Sequence, residues 1–421
     1  MAHKGTDDTL HLMSVQETGA APVGLDPFAA GFFDDPYPQY ARLRSAEPVH
    51  ESALGPWMLT RYEDCVRLLR NPTVSVADRN RGDRRRARLF GDTDPRRMRG
   101  AAAILNLDPP DHTRIRRLAG KAFTPRRVEA LIPRIEAQVD VVFDRVAPTG
   151  RMDVIADLAF PLPFAVISEM LGIPTDDSDR MRDVSHTLVR TLEPLTGPDD
   201  VPALIAASDA MHGFVEEMVR WKRKHPADDL LTALIEVRDG GDALTHDELH
   251  DQVTLLYVAG HETTVNLIGN GTLALLRHPA QLARLRDDPS LVPNAVEELL
   301  RFDGPVQFSR RITLDDLEID GVTIPAGSFV FTVLGAANRD PAHFGPDAET
   351  LDLARRLAPQ HLSFGGGIHH CLGAVLARAE GRAAIGGLVR RFPDVALTTE
   401  TPTWNGRLVL RGLDTLPVTF G

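Results

Sequence analysis

Apolar residues recur at helical spacing along several long stretches of the chain. Between residues 128 and 146 they follow one face of a predicted amphipathic helix, and a similar pattern covers residues 203–224. Thr245 followed by Glu248 is a capping-box signature, and it opens a longer apolar segment that ends at Arg277 before a proline. At 1.5 Å per residue this helix is roughly 50 Å long, which is enough to cross a whole domain.

Further along the chain, the pattern predicts two more helices and a few short strands. Pro279 suits the first turn of one helix, and residues 292–302 predict the other. Strands are predicted in four segments, the first two from short alternating runs broken by Asp-Gly and Pro-Ala-Gly turns. The last two of these are expected to pair with each other; the segments are residues 53–60, 311–333, 407–410 and 416–420.

These elements predict a mainly α protein with small β-sheets. No internal repeat and no low-complexity linker divides the chain, so we expect one large domain rather than several. We expect residues 26–421 to form this domain and residues 1–25 to be a mobile tail.

Composition is that of an ordinary soluble globular protein, with 43% hydrophobic and 25% charged residues. No uninterrupted apolar run reaches about 18 residues, so we expect no membrane anchor. The first residues do not resemble a signal peptide, and we expect a cytoplasmic protein. Two cysteines, Cys65 and Cys371, are too few for a zinc or iron–sulfur site made of cysteines alone. The sequence leaves a disulfide between them open, although nothing in it indicates an oxidising compartment.

The net charge of −12 argues against nucleic acid as a general partner. Two stretches are nevertheless basic. One of them lies between residues 79 and 99 and is either a solvated loop or a site that attracts a carboxylated substrate. Its members are Arg79, Arg81, Arg84, Arg85, Arg86, Arg88, Arg96, Arg97 and Arg99. The other contains Arg114, Arg116, Arg117, Lys121, Arg126 and Arg127.

A glycine-rich turn carries Cys371, in the run FGGGIHHCLG from Phe364 to Gly373. The glycines allow a tight turn whose amides can face the sulfur, and a helix predicted over residues 372–381 would direct its positive end towards a thiolate. By itself the cysteine favours a buried structural role, which is the role we expect for Cys65. The whole run, however, resembles the pattern Phe-x-x-Gly-x-x-x-Cys-x-Gly of the cytochrome P-450 family.

The resemblance implies that haem b (iron protoporphyrin IX) is the cofactor and that the thiolate of Cys371 is its axial metal ligand. Phe364, Gly365 and Gly373 would shape the loop that holds it. Thiolate ligation donates electron density to the iron and favours cleavage of the O–O bond.

A second resemblance lies in the long helix, where Ala259-Gly260-His261-Glu262-Thr263-Thr264 is similar to the family's oxygen-activating motif. It implies that the small pair Ala259-Gly260 leaves space beside the helix, that Thr263 donates a hydrogen bond to dioxygen, and that Glu262 feeds protons through water. The alternative is that glycine and threonine are packing choices in this helix. His261 is not assigned as a ligand.

A third resemblance is Glu298-Leu299-Leu300-Arg301, which matches the family's Glu-x-x-Arg. Side chains at i and i+3 share one helix face and can pair. In the family this pair is buried, supports the haem loop and is joined by a further arginine. Here that arginine is either Arg355 or Arg356, and the sequence leaves the choice open, although Arg355 is taken as the first candidate.

Two haem propionates need cationic donors, best supplied by arginine and histidine. The resemblance implies four such residues: His112, Arg116, Arg311 and His369. For each of them alone, an exposed charge is the simpler interpretation.

The resemblance also implies a single, triangular, mostly helical domain, which we expect to be a monomer, with haem between the long helix and the cysteine helix. An apolar pocket for a hydrophobic or amphipathic small molecule would draw on Leu256, Val306, Phe308, Val409 and Leu410. The chain has no segment long enough to be a fused nucleotide-binding reductase. An acidic ferredoxin reduced by a flavin reductase is therefore the expected electron donor, docking on the basic stretch from Arg114 to Arg127.

The function that the resemblance implies is a monooxygenase that inserts one oxygen atom from O2 into an organic substrate. A haem-thiolate enzyme that uses peroxide, or that needs no external electrons, is an alternative, but such chemistry does not need the pair Glu262-Thr263. A non-catalytic haem sensor and a helical protein without haem are further alternatives.

Overall fold

The computed structural model describes residues 24–52, 55–82, 100–173, 178–194, 198–399 and 401–421. Nearly all of the expected N-terminal tail, and the arginines from Arg84 to Arg99, lie outside the described residues.

Helices make up most of the described chain. In chain order they are α1 (Tyr37–Ala46), α2 (Tyr62–Leu69), α3 (Asp111–Ala122), α4 (Pro125–Val146), α5 (Pro161–Leu171), α6 (Ser178–Leu188), α7 (Val201–Lys224), α8 (Leu230–Glu236), α9 (His246–Arg277), α10 (Pro279–Asp287), α11 (Val292–Asp303), α12 (Leu334–Ala337), α13 (Pro341–Phe344) and α14 (Ala374–Arg391). A π-helical turn, Val154–Ala159, precedes α5, and a 3-10 turn, Val189–Leu192, follows α6.

The strands are short and form three small sheets. They are β1 (Val49–Glu51), β2 (Trp57–Leu59), β3 (Val74–Ser75), β4 (Arg151–Asp153), β5 (Phe308–Thr313), β6 (Leu317–Ile319), β7 (Val322–Ile324), β8 (Phe329–Val333), β9 (Ala396–Leu397) and β10 (Pro417–Thr419). The largest sheet has the order β1-β2-β8-β5-β3, and only its β2–β8 pair is parallel. The others are β4-β10-β9 and the hairpin β6-β7. The mainly α architecture with small sheets is therefore confirmed.

The predicted long helix is α9, with 32 residues. Both hydrogen bonds of its capping box form: the Glu248 amide donates to Thr245 Oγ1 at 3.2 Å, and the Thr245 amide donates to Glu248 Oε2 at 2.8 Å. The largest hydrophobic cluster packs α9 against α4, α5, α7 and α14. Helix α9 therefore lies at the centre of the core, and side chains in its middle can face a buried site.

One prediction about the C-terminal strands is wrong. Residues 416–420 contain β10, but this strand pairs with β4 and β9, and residues 407–410 contribute only an isolated antiparallel bridge between Leu410 and Val306. The amides of Leu408, Val409 and Leu410 donate to the carboxylate of Glu193, so they do not bond to β10. The apolar character of this segment indicated burial correctly but not the bonding partner.

Within the described residues, one helical stretch, Val154–Leu171, is long and apolar enough to cross a membrane by length and composition. Of this stretch, 67% is buried inside the structure, where it contributes to the cluster around α9. It is thus a core element of the fold.

Candidate active site

The cysteine loop adopts the tight turn that its glycines predict. Gly365 and Gly367 have φ angles of 68° and 65°, in the left-handed region that favours glycine. A β-carbon on Gly367 would also overlap the carbonyl oxygen of Leu69, so α2 lies directly against the loop. The amide of Cys371 closes the turn by donating to the carbonyl of Phe364 at 2.9 Å.

The surroundings of Cys371 contain donors and positive charge suited to a thiolate. Part of the residue surface is accessible, but most of its neighbourhood is protein, and this burial raises the pKa of the thiol. The amide of Gly373 and the guanidinium groups of Arg116 and Arg378 act in the opposite direction and lower the pKa. Helix α14 begins one residue after Gly373, two residues later than predicted, so its N-terminal end still faces this position. A metal bond would supply the remaining stabilisation of the thiolate.

The four residues predicted to bind propionates, two arginines and two histidines, form one cluster close to this loop. The rings of His112 and His369 lie 4.3 Å apart, and Arg116 Nη2 donates to the His370 carbonyl at 2.7 Å. Arg311 is buried, and burial followed by the charge of Arg310 lowers the pKa of its guanidinium to about 10. Burial, with the charges of Arg311, His112 and Arg116, lowers the pKa of His369 to about 3.

The polar groups of this cluster have no anionic partner among the described residues. Arg311 Nη1 donates to Ser309 Oγ and to the carbonyl of Arg310, and no carboxylate in the described part of the chain lies within ion-pair distance of it. His112 is 2% exposed, yet neither of its ring nitrogens has a hydrogen-bond partner among the described residues. Buried polar groups are rarely left in this state. Two carboxylates would satisfy these groups, so the residues fit a cofactor that carries two propionates.

The oxygen-activating motif lies in the middle of α9. Ala259 is exposed and Thr263 is partly exposed, while Glu262 is buried. The hydroxyl of Thr263 donates to the carbonyl of Ala259 at 2.9 Å. A β-carbon on Gly260 would meet only Ile167, at an ordinary contact distance of 3.6 Å.

Glu262 has partners that the sequence did not suggest. Arg407 Nη1 donates to Glu262 Oε2 at 3.3 Å, and His186 Nδ1 lies 3.3 Å from Glu262 Oε1. Burial raises the pKa of Glu262, but the hydrogen bond from His186 and the charges of His261, Arg407 and His186 outweigh it, so the pKa lies below its usual range. Because Arg407 is 145 residues away from Glu262 along the chain, no local motif signals this pair.

The pair Glu298–Arg301 is buried on α11. Arg301 Nε and Nη2 donate to the two carboxylate oxygens of Glu298 at 2.7 and 2.8 Å. Of the two arginines left open, Arg355 is the one that reaches this carboxylate, with Nε 3.2 Å from Oε1, whereas Arg356 is exposed. Arg301 also donates to three backbone carbonyls, those of Asn338, Ala348 and Thr350.

A second buried network, which the sequence did not reveal, connects α11 with the cysteine helix. Glu297 accepts two hydrogen bonds from Arg378, at 2.6 and 2.9 Å, and lies 3.2 Å from His361 Nε2. These partners lower the pKa of Glu297 to about 2 although burial acts to raise it. The guanidinium of Arg378 lies 4.4 Å above the ring of Phe364. The network therefore supports the cysteine loop from behind.

The five residues predicted to line a substrate pocket lie in two settings. Leu256 and Val306 are partly buried. The other three belong to a buried hydrophobic cluster around α1 and β5; they are Phe308, Val409 and Leu410. The Phe308 ring packs edge-on against the rings of Tyr40 and Phe331. Their contact with a substrate stays a prediction.

Most cations of the second basic stretch are already paired within the chain. Arg117 and Lys121 both bind Asp239, and Arg114 binds Asp242 and Glu248. Helix α3 therefore offers less free positive charge to a partner than its sequence suggests.

Comparison with known proteins gives concordant results. The model of the family Cytochrome P450 matches residues 80–405. Cytochrome P450 107B1 of Saccharopolyspora erythraea is 43% identical over 420 residues, covering 96% of this chain and 99% of that protein. Cytochrome P450 monooxygenase PikC of Streptomyces venezuelae is 41% identical over 418 residues, covering 96% of each chain. The crystal structure of the myxobacterial cytochrome P450 CYP267B1 in complex with myristic acid superposes with a TM-score of 0.86 at 41% identity, covering 94% of this chain and 98% of that one.

Proposed function

This chain belongs to the cytochrome P450 family, and on that premise we propose that it oxidises a hydrophobic or amphipathic small molecule with electrons from a separate ferredoxin and reductase. It binds haem b and is an oxidoreductase that incorporates oxygen, as a cytochrome P450 monooxygenase does. An apolar substrate is supported by the structural relative that binds myristic acid and by the apolar character of the predicted pocket residues. We expect the protein to act as a monomer in the cytoplasm.

The haem, when bound, supplies the activation of dioxygen. We propose that Cys371 would hold the haem iron through its thiolate, in a loop shaped by Phe364, Gly365 and Gly373. A cluster of two arginines and two histidines would hold the propionates: the buried guanidinium of Arg311 has no carboxylate within ion-pair distance among the described residues, so it gains an ion pair that the folded protein alone does not provide. The members of this cluster are His112, Arg116, Arg311 and His369.

The proposed proton relay uses two neighbours on α9. The Thr263 hydroxyl has one hydrogen to donate, and we propose that it turns from the Ala259 carbonyl to dioxygen during turnover. Glu262 is held as a carboxylate by Arg407 and His186, so it can accept a proton from water and pass it on. The observation that carries the proposal is this acid–hydroxyl pair in a chain that also has the Cys371 loop.

The proposed relay is tested with Thr263→Ala, using a substrate found by screening compounds for a shift of the Soret band. The variant should still consume reductant and oxygen, but product should fall and hydrogen peroxide should rise. Thr263→Ser keeps the hydroxyl and is the matched control, for which we expect nearly full product yield. Full yield from Thr263→Ala would remove the proposed role, and efficient turnover with peroxide alone would favour the peroxide-using alternative.

The electron donor is tested through the exposed cations beside the cysteine loop. Arg70 ends the helix α2 against which Gly367 lies, and Arg382 is exposed on α14. We propose that an acidic ferredoxin contacts these two. Arg70 has no ion-pair partner among the described residues, and Arg382 has only a long contact of 4.0 Å to Glu297, whereas Arg114, Arg117 and Lys121 are held by closer carboxylates. Arg70→Ala and Arg382→Ala should slow reduction and weaken its dependence on salt without changing substrate affinity, and Arg114→Ala should have a smaller effect. Reduction rates that respond to neither salt nor these variants would contradict an electrostatic docking site.

A further inference from the structure

A loop near the C-terminus (residues 405–411, called here the C-terminal loop) is bridged to Val306 through Leu410, and one carboxylate binds three of its amides. Glu193, which follows the 3-10 turn after α6, accepts hydrogen bonds from three consecutive amides of this loop. The distances are 2.8 Å to Leu408 N, 3.1 Å from each carboxylate oxygen to Val409 N, and 3.2 Å to Leu410 N. Successive amides that converge on one carboxylate form an anion-binding nest.

Hydrogen bonds from amides to an ionised carboxylate are stronger than neutral ones, so this clamp fixes the backbone of the loop. Burial raises the pKa of Glu193 above its usual value, although the amides of Val409, Leu410 and Leu408 and the charge of Arg407 act to lower it. The side chain of Asn405 adds a bond within the loop, donating to the Leu410 carbonyl at 3.0 Å.

Arg407 extends from this clamped loop into the site on α9. Its Nη1 donates to Glu262 Oε2 at 3.3 Å, and its Nη2 donates to the carbonyl of His186 at 3.0 Å. Both Arg407 and Glu262 are buried. The C-terminal loop, helix α6 and helix α9 thus meet at one ion pair.

We propose that Arg407 is a positioning residue that holds the Glu262 carboxylate in its place in the relay, and that Glu193 acts through Arg407 by fixing the loop that carries it. The inference rests on the role of Glu262 in the proposed function. Neither Glu193 nor Arg407 belongs to a recognisable sequence motif.

The physical reason is the burial of Glu262. A buried carboxylate without a cation takes up a proton, because desolvation disfavours its charged form. The titratable or charged groups that face Glu262 are His186 on α6, His261 on its own helix, and Arg407 in the C-terminal loop. Of these three groups, Arg407 is the one whose charge is permanent, so it is the group that stabilises the Glu262 carboxylate at every working pH.

The test measures the ionisation of Glu262 directly in the haem-loaded enzyme. Infrared spectra of the wild type minus Glu262→Gln isolate the carboxyl stretch of Glu262, and a pH titration of this difference gives its pKa. In the Arg407→Ala background, the same subtraction should show a pKa higher by one unit or more, which is at least a tenfold change in the ionisation equilibrium. Arg407→Lys keeps a cation at this position, so the pKa of Glu262 in this variant should lie close to its wild-type value.

The role of Glu193 is tested by additivity. Glu193→Ala should speed hydrogen exchange at the amides of residues 408–410 and raise the pKa of Glu262, and adding it to Arg407→Ala should give no further rise. Glu217→Ala, at an exposed glutamate of α7, is the control and should change neither quantity. If Arg407→Ala does not fold, Arg407→Gln replaces it as the variant that removes the cation. An unchanged pKa of Glu262 in the variant without the cation would overturn the inference, and additive effects of the Glu193 and Arg407 substitutions would overturn the role given to Glu193.

This outcome is separable from the proposed function. Failure of Thr263→Ala to reduce product yield would refute the relay but would leave the infrared result unaffected. Conversely, a relay that depends on Thr263 together with an Arg407-independent pKa would refute only the inference.

Discussion

Glu380 offers a sharp test of the electrostatics of this fold. It lies on α14 with 1% of its surface exposed, and its Oε2 has no hydrogen-bond partner among the described residues. Burial raises the pKa of its carboxyl to about 8, against the lowering effect of a hydrogen bond from Thr264. The side chain is therefore neutral at pH 7 in the folded protein and ionised in the unfolded chain.

The consequence for stability follows from proton linkage. A carboxyl whose pKa is raised on folding gives its full contribution below the unfolded value of 4.5, and this contribution is lost as the pH rises towards the folded value of about 8. Each pH unit in that window costs about 1.4 kcal/mol. Glu380→Gln keeps the shape and cannot ionise, so its advantage over the wild type should be below ~1 kcal/mol at pH 5 and roughly 3 kcal/mol at pH 7, with a plateau above pH 8.

The assay is thermal unfolding of the haem-loaded enzyme at several pH values and one heating rate. An unfolding entropy of roughly 2.1 cal/mol/K per residue implies that about 3 kcal/mol raises Tm by roughly 3–4 °C in a chain of this length. Glu217→Gln, at an exposed position, is the control and should leave Tm within about 1 °C at every pH. A Tm difference for Glu380→Gln that does not change between pH 5 and pH 8 would refute the reasoning, because it would show that Glu380 does not titrate in this window.

Two further predictions concern the support of the cysteine loop. Arg355→Leu leaves the buried Glu298 with one cation fewer, so it should lower the free energy of unfolding by about 3–5 kcal/mol and reduce the yield of haem-loaded protein. Arg356→Leu, at the exposed neighbour, should change the free energy of unfolding by less than about 0.5 kcal/mol, and equal effects of the two variants on urea unfolding would contradict the assignment of Arg355. Gly367→Ala should destabilise the protein more than Gly321→Ala, because both glycines have positive φ but only a β-carbon at Gly367 would overlap a neighbouring carbonyl. Thermal unfolding compares the two variants, and equal decreases in Tm would show that α2 can move away from the loop.

The sequence predicts well those features whose partners are close along the chain. The capping box at Thr245 and Glu248 forms as predicted, because both of its bonds lie within one helical turn. The i, i+3 spacing of Glu298 and Arg301 places both side chains on one face of α11, where they pair. The Asp320-Gly321 turn has both residues at positive φ, as its composition indicates.

Features that depend on distant partners could not be read in this way. The strand expected at residues 407–410 has the apolar residues of a strand, but Glu193, 215 residues or more away, binds its amides. Glu297 and Arg378 are separated by 81 residues and have no motif of their own. In each case an ordinary charged residue gains its role only because the fold brings a partner to it.

Two of the buried glutamate–arginine pairs, Glu298–Arg301 and Glu262–Arg407, differ in a way that suits their proposed roles. Glu298 and Arg301 are joined by two short bonds of 2.7 and 2.8 Å, which is the range of strong charge-assisted hydrogen bonds. Glu262 has longer contacts of 3.3 Å to Arg407 and 3.3 Å to His186. A scaffold pair benefits from tight bonds because it must not move, whereas a relay carboxylate must let a proton and water approach. Successive residues of an α-helix are about 100° apart, so Glu262 and Thr263 face different directions and water must connect them. A tightly bound Glu262 would resist that exchange, and the looser pair with Arg407 leaves it oriented but accessible to a proton.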